Sequence, residues 1–251
     1  MTGVGGGMIR DVLCGIIPPS ALTHPMSLLV SIGTALAVSL FFTACQSGKD
    51  PNPYGLDLIS TTEEYLTSIE ADSANMLTDL EDIIPNLILD IRYADTNNFT
   101  GTKIYSAPKA YLRKAVADSL LRIQEELGKE GLGIKIYDAY RPYSATLYFY
   151  EVYPDTTFVA APWKGSIHNR GCAVDLTLVN LSTGEELQMP TPFDEFSEAA
   201  SHSFIPQDST ILANRSKLLS VMEKFGFTQY DHEWWHYNFA NREGMGLLNI
   251  S

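Results

Sequence analysis

Ser166-Ile-His-Asn-Arg-Gly-Cys-Ala-Val-Asp175 runs directly into Leu176-Thr-Leu-Val179, and the reading of this stretch decides the fold. Histidine and aspartate are metal-ligand types, and three protein ligands leave one position open in a catalytic zinc site. In a straight strand His168 and Asp175 would stand about 23 Å apart at 3.3 Å per residue. Ligand atoms sit about 2 Å from a common ion. The chain must therefore double back between the two, and Gly171 is placed to permit the turn. Beyond it, Ala173–Val179 reads as a strand that carries Asp175 near its start. A second histidine-bearing stretch, Asp231-His-Glu-Trp-Trp-His236, lies downstream. Glu233 and His236 are three residues apart, which places them on opposite faces of a regular strand. Either a helical turn carries them or the chain bends. The aromatic, strand-like run Trp234–Phe239 favours the bend. Glu233 then stands beside the metal's water without binding the ion. Each half alone is ordinary, since a Trp-Trp-His segment is usually core and His-x6-Asp arises by chance. Together in one chain they point to a metal centre.

Working outward, Ile84–Tyr93 reads as a strand, and Tyr111–Leu127 as a helix with Leu112, Val116, Leu120, Ile123 and Leu127 on one face, stopped by Gly128. Gly133–Asp138 reads as a strand closed by Arg141-Pro142, and Tyr143–Val152 as a helix. Ser182-Thr-Gly184 is placed to turn Ala173–Val179 into a hairpin with Glu186–Met189. Ile211–Phe225 is a second amphipathic helix ended by Gly226, and Phe227–Tyr230 and Trp235–Phe239 are the last strands. Early helices followed by strands with hairpin-length links predict an α+β fold, a central antiparallel sheet with flanking helices.

The 251 residues carry 17 Lys+Arg against 30 Asp+Glu, a net charge of −13. That acidity argues against a nucleic-acid partner, which needs a basic face. Three cysteines provide no disulfide framework. Val12–Gly48 has no charged residue, and its apolar run Ser27–Phe42 ends in Thr43-Ala-Cys45 before a polar stretch. This pattern resembles a bacterial lipoprotein signal, cut before Cys45 so that the thiol carries lipid. An uncleaved anchor or a plain secretion signal is the alternative. In each case the remainder is expected to face outside the cytoplasm, on the periplasmic or external side of a membrane. Gly3–Gly15 resembles a motif of glycine-channel-like membrane proteins over too short a span to fold as one, and Met26 or Met8 is a candidate true start. Pro51–Asp82 holds eight acids and no Lys or Arg, and with Pro51 and Pro53 it reads as a tether, Tyr65–Ile69 being long enough for a short helix. The expected organisation is an export segment at 1–44, a lipidated cysteine and acidic tether at 45–82, and a catalytic domain at 83–251. That domain carries 15 cations and 20 anions, so most of the acidity belongs to the tether.

Ser-x-His-x-x-Gly-x-Ala-x-Asp followed by Glu-x-Trp-His resembles the zinc peptidases that cut D-alanyl peptides, a superfamily that includes the signalling domain of hedgehog proteins. Four blocks in order, Ile91–Gly101, Tyr137–Pro142, Ser166–Leu178 and Glu233–Phe239, resemble the VanX-type D-alanyl-D-alanine dipeptidases. The resemblance implies one zinc ion held by His168, Asp175 and His236, with Glu233 as catalytic base. It also implies that Arg141 faces the reacting carbonyl or its oxyanion and that Ser166 contacts substrate. By itself Arg141 reads as a strand-end ion pair with Asp138; beside a metal site it reads as catalytic. Cys172 is read as packing, His232 as an exposed loop residue and His202 as surface or pocket rim. Tyr140, Tyr143, Tyr148 and Tyr150 are expected in the core, and the loops around Tyr153–Trp163 and Thr191–Ser209 are expected to shape the pocket. The implied activity is hydrolysis of D-Ala-D-Ala. Trimming of longer wall peptides as a D,D-carboxypeptidase, or a non-catalytic zinc-bearing binding module, are the competing readings.

Overall fold

The computed structural model describes residues 51–250, so the expected export segment and Cys45 lie outside the described residues. In chain order the elements are β1 (Leu58–Ile59), α1 (Thr62–Ala71), β2 (Leu77–Asp79), α2 (Leu80–Ile83), β3 (Ile88–Leu89), β4 (Tyr111–Arg113), α3 (Lys114–Gly128), β5 (Leu132–Asp138), α4 (Tyr143–Val152), β6 (Ala173–Asn180), α5 (Ser209–Lys224), β7 (Phe227–Tyr230), β8 (Glu233–Phe239) and β9 (Leu247–Leu248). The main sheet has the order β3-β5-β6-β8-β7. Its pairs are antiparallel apart from the edge pair β3–β5, which is parallel. The α+β expectation therefore holds, with one parallel strand added at the rim.

Strand β6 lies in the middle and is buried on both faces. Val174, Leu176 and Leu178 face one way, and Asp175 and Thr177 the other. The helices cover the first face. Helix α3 turns its stripe of Val116, Leu120, Ile123 and Leu127 inward and packs on β5, while α5 packs on β7 and β6. Tyr237 of β8, opposite Val174, belongs to this covered face, where burial first and then Glu223 of α5 push its hydroxyl up. The other face is left for the polar row described below.

Three expectations about elements need correction. Only Ile88–Leu89 of Ile84–Tyr93 is strand, because Asn86 adopts φ 57 just ahead of it and a 3-10 turn follows at Arg92–Ala94. The helix expected from Tyr111 begins at Lys114, because Tyr111–Arg113 pairs with β2. The hairpin expected over Glu186–Met189 shrinks to one bridge between Val179 and Glu186.

The expected tether is also corrected: from Tyr54 onward the chain is one compact unit. Several of its acids, though exposed, sit at helix starts. Glu64 closes a capping box with Thr61, accepting from the Thr61 amide at 2.9 Å while Thr61 Oγ1 accepts from the Glu64 amide at 3.1 Å. Asp72 and Asp79 cap the next turns, and Asp79 and Glu81 share Lys109 at 3.1 and 2.6 Å. Leu80 is fully buried.

The two ends of this unit meet, as β1 pairs in parallel with β9, Leu58 opposite Leu247. Buried Arg113 fastens both ends to the turn that follows His168. Its Nε donates to the Arg170 carbonyl at 2.8 Å, Nη1 to the Asn75 carbonyl and Nη2 to the Gly246 carbonyl at 3.2 Å. Arg170 in turn donates to the Met245 carbonyl.

Candidate active site

Strand register sets three of the key residues side by side. Asp138 of β5 stands opposite Asp175 of β6, which stands opposite His236 of β8. Opposed residues of an antiparallel pair share a face, with Cβ atoms about 5 Å apart. His168 arrives from outside the sheet, on a 3-10 turn (His168–Arg170) ended by Gly171 at φ 66. A Cβ on Gly171 would meet Leu77 Cδ2 at 2.8 Å and the Arg113 amide at 3.3 Å, so both conformation and space demand glycine there. The expected doubling-back is thus present. So is the bend near Glu233. The β7–β8 register slips between Gln229, which opposes Tyr237, and Tyr230, which opposes Glu233. The slip brings Glu233 to the side of His236, with Glu233 Oε2 3.8 Å from His236 Nδ1.

The donor atoms His168 Nε2, Asp175 Oδ1 and His236 Nδ1 form a triangle with sides of 3.0, 3.2 and 3.4 Å. Ligands at about 2.0–2.1 Å from a tetrahedral zinc stand about 3.3 Å from one another, so two imidazoles and a carboxylate at these distances fit the ion. The outward ring nitrogens support the same assignment. His168 Nδ1 lies 2.7 Å from the Ala139 carbonyl, and His236 Nε2 lies 3.0 Å from Asn238 Oδ1. A ring that donates outward to an oxygen turns its other nitrogen, as a lone pair, toward the metal position. Burial favours the neutral form of Asp175, but the two imidazoles outweigh it and hold the carboxyl below its ordinary range.

Asp138, fully buried, fixes Arg141. Arg141 Nε and Nη2 donate to Asp138 Oδ2 at 3.0 and 2.7 Å, and Oδ1 accepts from Tyr105 Oη at 2.8 Å and the Ala139 amide at 2.9 Å. The guanidinium also lies over Phe149 at 4.7 Å and Tyr93 at 5.4 Å. Burial disfavours its charge, but Asp138 leads a set of neighbours that more than restores it. Arg141 thus makes the expected ion pair with Asp138, and it also lines the cavity.

Arg141, Ser166, His168, Asp175, Glu233 and His236 all line one cavity of about 460 Å³. Ser166 lines it while its Oγ accepts from the His168 amide at 3.2 Å, steadying the ligand turn. Burial pushes the Glu233 carboxyl well up, and Asp175 and Asp194 push it further. The two loops expected to shape the pocket supply Thr156–Ala161, Trp163, Asp194 and Phe196.

Asp194 and Asn238 escaped the sequence reading. Asp194 sits at φ 61, in a loop without a motif, and accepts from Tyr93 Oη at 3.0 and 3.2 Å. Burial and then Asp175 raise its carboxyl to about 8. Asn238, two residues beyond His236, has the strand spacing that returns to the same face, which is the one signal that pointed to it. His202 is not at the pocket. It is half-buried against Tyr237 on the covered face of the sheet, and burial lowers its imidazole to about 4. His232 is exposed and Cys172 is buried and free, both as expected.

A family model described as D-ala-D-ala dipeptidase matches residues 73–244, and one described as glycine transporter matches residues 1–43. The D-alanyl-D-alanine dipeptidase of Escherichia coli (strain K12) is 35% identical over 173 residues, 68% of this chain and 89% of that protein. The enzyme of the same name from Enterococcus faecium is 33% identical over 180 residues, 64% of this chain and 89% of that protein. The crystal structure of the vancomycin-resistance D,D-dipeptidase VanXYg, in complex with a D-Ala-D-Ala phosphinate analog, aligns over 66% of each chain at 19% identity with a TM-score of 0.36. On the span of the dipeptidase match and on relatives aligned over nearly their whole length, the chain belongs to the M15 peptidase family of D-Ala-D-Ala dipeptidases.

Proposed function

We propose that this chain is a zinc enzyme that hydrolyses D-alanyl-D-alanine to free D-alanine, outside the cytoplasm, in the turnover of cell-wall peptides. The observation that carries the reading is the convergence of His168, Asp175 and His236 with Glu233 and Arg141 on one cavity, in a member of the dipeptidase family. His168, Asp175 and His236 would hold one zinc ion, which when bound acts as a Lewis acid toward water and a carbonyl oxygen.

The chain's own residues supply the rest. Glu233, buried and with its carboxyl pushed up, takes a proton from the attacking water and returns it to the leaving amino nitrogen. Arg141, locked by Asp138 and the two rings, presents Nη1, which Asp138 does not engage, to the oxygen that becomes negative in the tetrahedral state. Ser166 holds the His168 turn and borders the substrate.

Asp194 favours the dipeptide reading over the carboxypeptidase one. Asp175 and Glu233 line the cavity beside Asp194, and burial first, then neighbouring carboxylates, raises Asp194 and Glu233. A free dipeptide brings an ammonium group that pairs with Asp194 beside Tyr93 and relieves the repulsion. A longer peptide, acylated at that nitrogen, brings none.

Localisation rests on sequence. A lipid on Cys45 would anchor the chain, and fatty-acid labelling that disappears in Cys45→Ser tests it. For the activity, purified protein is loaded with zinc and given D-Ala-D-Ala or an N-acylated tripeptide ending in D-Ala-D-Ala, and D-alanine is measured with and without chelator. Chelator-sensitive release from the dipeptide is expected. Release from the acylated tripeptide alone would replace the reading by the carboxypeptidase. No release from either, with Glu233→Gln retaining zinc and behaving as wild type, would replace it by the binding module.

A further inference from the structure

Three tryptophans occur in the chain. Trp234 and Trp235 are buried at 1% exposure, whereas Trp163 is 44% exposed. Trp163 belongs to a patch built from three segments. It meets Tyr54 edge to face with centroids 6.2 Å apart, and Tyr150 of α4 at 5.4 Å. Tyr54 is itself 47% exposed, and Tyr150 is half-buried behind Trp163. The exposed charges next in sequence to Tyr150 and Trp163 are Glu151 and Lys164, one of each sign. An outward-facing pair of tryptophan and tyrosine is costly in bulk water. It is the composition favoured at the boundary between lipid and water, where amphipathic rings have one side in each phase.

The course of the chain says which lipid surface is within reach. Tyr54 lies nine residues beyond Cys45, at most about 30 Å of extended backbone. The segment before it holds the apolar run Ser27–Phe42 within the uncharged Val12–Gly48. The apolar run therefore ends twelve residues, at most about 40 Å of extended backbone, before Tyr54, which is a member of the patch. Trp163 also lines the cavity that holds the metal ligands.

We propose that Tyr54 and Trp163, with Tyr150 packed behind Trp163, rest on a lipid bilayer at headgroup depth and so hold the mouth of the cavity beside the membrane. Glu151 and Lys164 offset one another, so zwitterionic lipid suffices. The proposal rests on the membrane anchoring inferred above, and the test reads the two separately.

The full chain is reconstituted in phosphatidylcholine vesicles and floated on a density gradient to score anchoring. Trp163 emission is obtained as the difference between wild type and Trp163→Phe, and its quenching by iodide and by brominated lipids is measured. Docking predicts that iodide quenching of this component falls several-fold in vesicles compared with detergent-free protein. It also predicts that lipid brominated near the headgroup quenches more than lipid brominated at the chain end. Tyr54→Asp should restore iodide access while flotation is unchanged. If the chain floats and Trp163 stays as open to iodide as in solution, docking is overturned and anchoring stands. If it fails to float and Trp163 stays open, both are overturned.

Discussion

Replacing Asp194 by asparagine tests whether this residue reads the substrate's amino group. The substitution keeps the shape and leaves an oxygen for Tyr93 to donate to, but removes the charge. Two effects of opposite sign follow. The first concerns stability. Burial raises the Asp194 carboxyl in the folded chain to about 8, from an unfolded value near 4. A group raised in the folded state contributes stability that is fully present below its unfolded value and is lost as the pH climbs through the folded one. Asp194 therefore weighs on the fold progressively from pH 4 to 8. The ceiling over that window is about 5 kcal/mol, and partial opening of the residue to the cavity screens this to about 2 kcal/mol. For a domain of this size that is a rise in Tm of roughly 4–8 °C in Asp194→Asn at pH 8, and none at pH 4. The second effect is on turnover. Losing a hydrogen bond to a charged group costs about 1.5–3 kcal/mol, or roughly 10–150-fold in kcat/KM for D-Ala-D-Ala. N-acetyl-D-Ala-D-Ala, which has no ammonium group, should lose nothing, so the preference for the free dipeptide collapses by the same factor. Scanning calorimetry at the two pH values and D-alanine release from both substrates give the answer. An equal Tm change at pH 4 and pH 8 would refute the electrostatic cost, and an unchanged substrate preference would refute the role of Asp194 at the amino end.

Glu233→Gln should lower kcat by about 10²–10⁴-fold with zinc content unchanged, as read by metal analysis beside the activity assay. Zinc held at 1,000 times its dissociation constant adds about 4 kcal/mol to the folded state, so chelation should lower Tm by roughly 8–16 °C, and His236→Ala should abolish that difference. Arg113→Met strips the donor from three carbonyls and should cost about 3–5 kcal/mol in denaturant unfolding. Zinc should also leave Arg113→Met faster than wild type, and Arg113→Lys should recover part of both losses.

The features legible in the sequence are those in which a local spacing meets a hard constraint. His168 and Asp175 share an ion only if the chain reverses, so Gly171 announced the turn before its φ of 66 was seen. Glu233 and His236 three apart in a strand demanded an irregularity, and the register slip at Gln229–Tyr230 is that irregularity. Asp194 carried no such constraint, because its partner Tyr93 is 101 residues away and its loop has no period. The acids of Pro51–Asp82 misled for another reason. Composition counts Glu64, Asp72 and Asp79 as repelling charges, whereas in place each accepts from a backbone amide at a helix start. The same residue types solvate an unstructured chain or cap a helix, and only the neighbouring Thr61-x-x-Glu64 pattern distinguishes the two.

Arg113 reaches back to Asn75 and forward to Gly246, with the His168 turn held between them. Gly246, with the Met245 carbonyl that Arg170 uses, follows the last expected ligand, His236, by ten residues. The seat of His168 therefore depends on backbone carbonyls far from it in the chain, so a change near Asn75 or Gly246 reaches the ligand turn without touching a ligand.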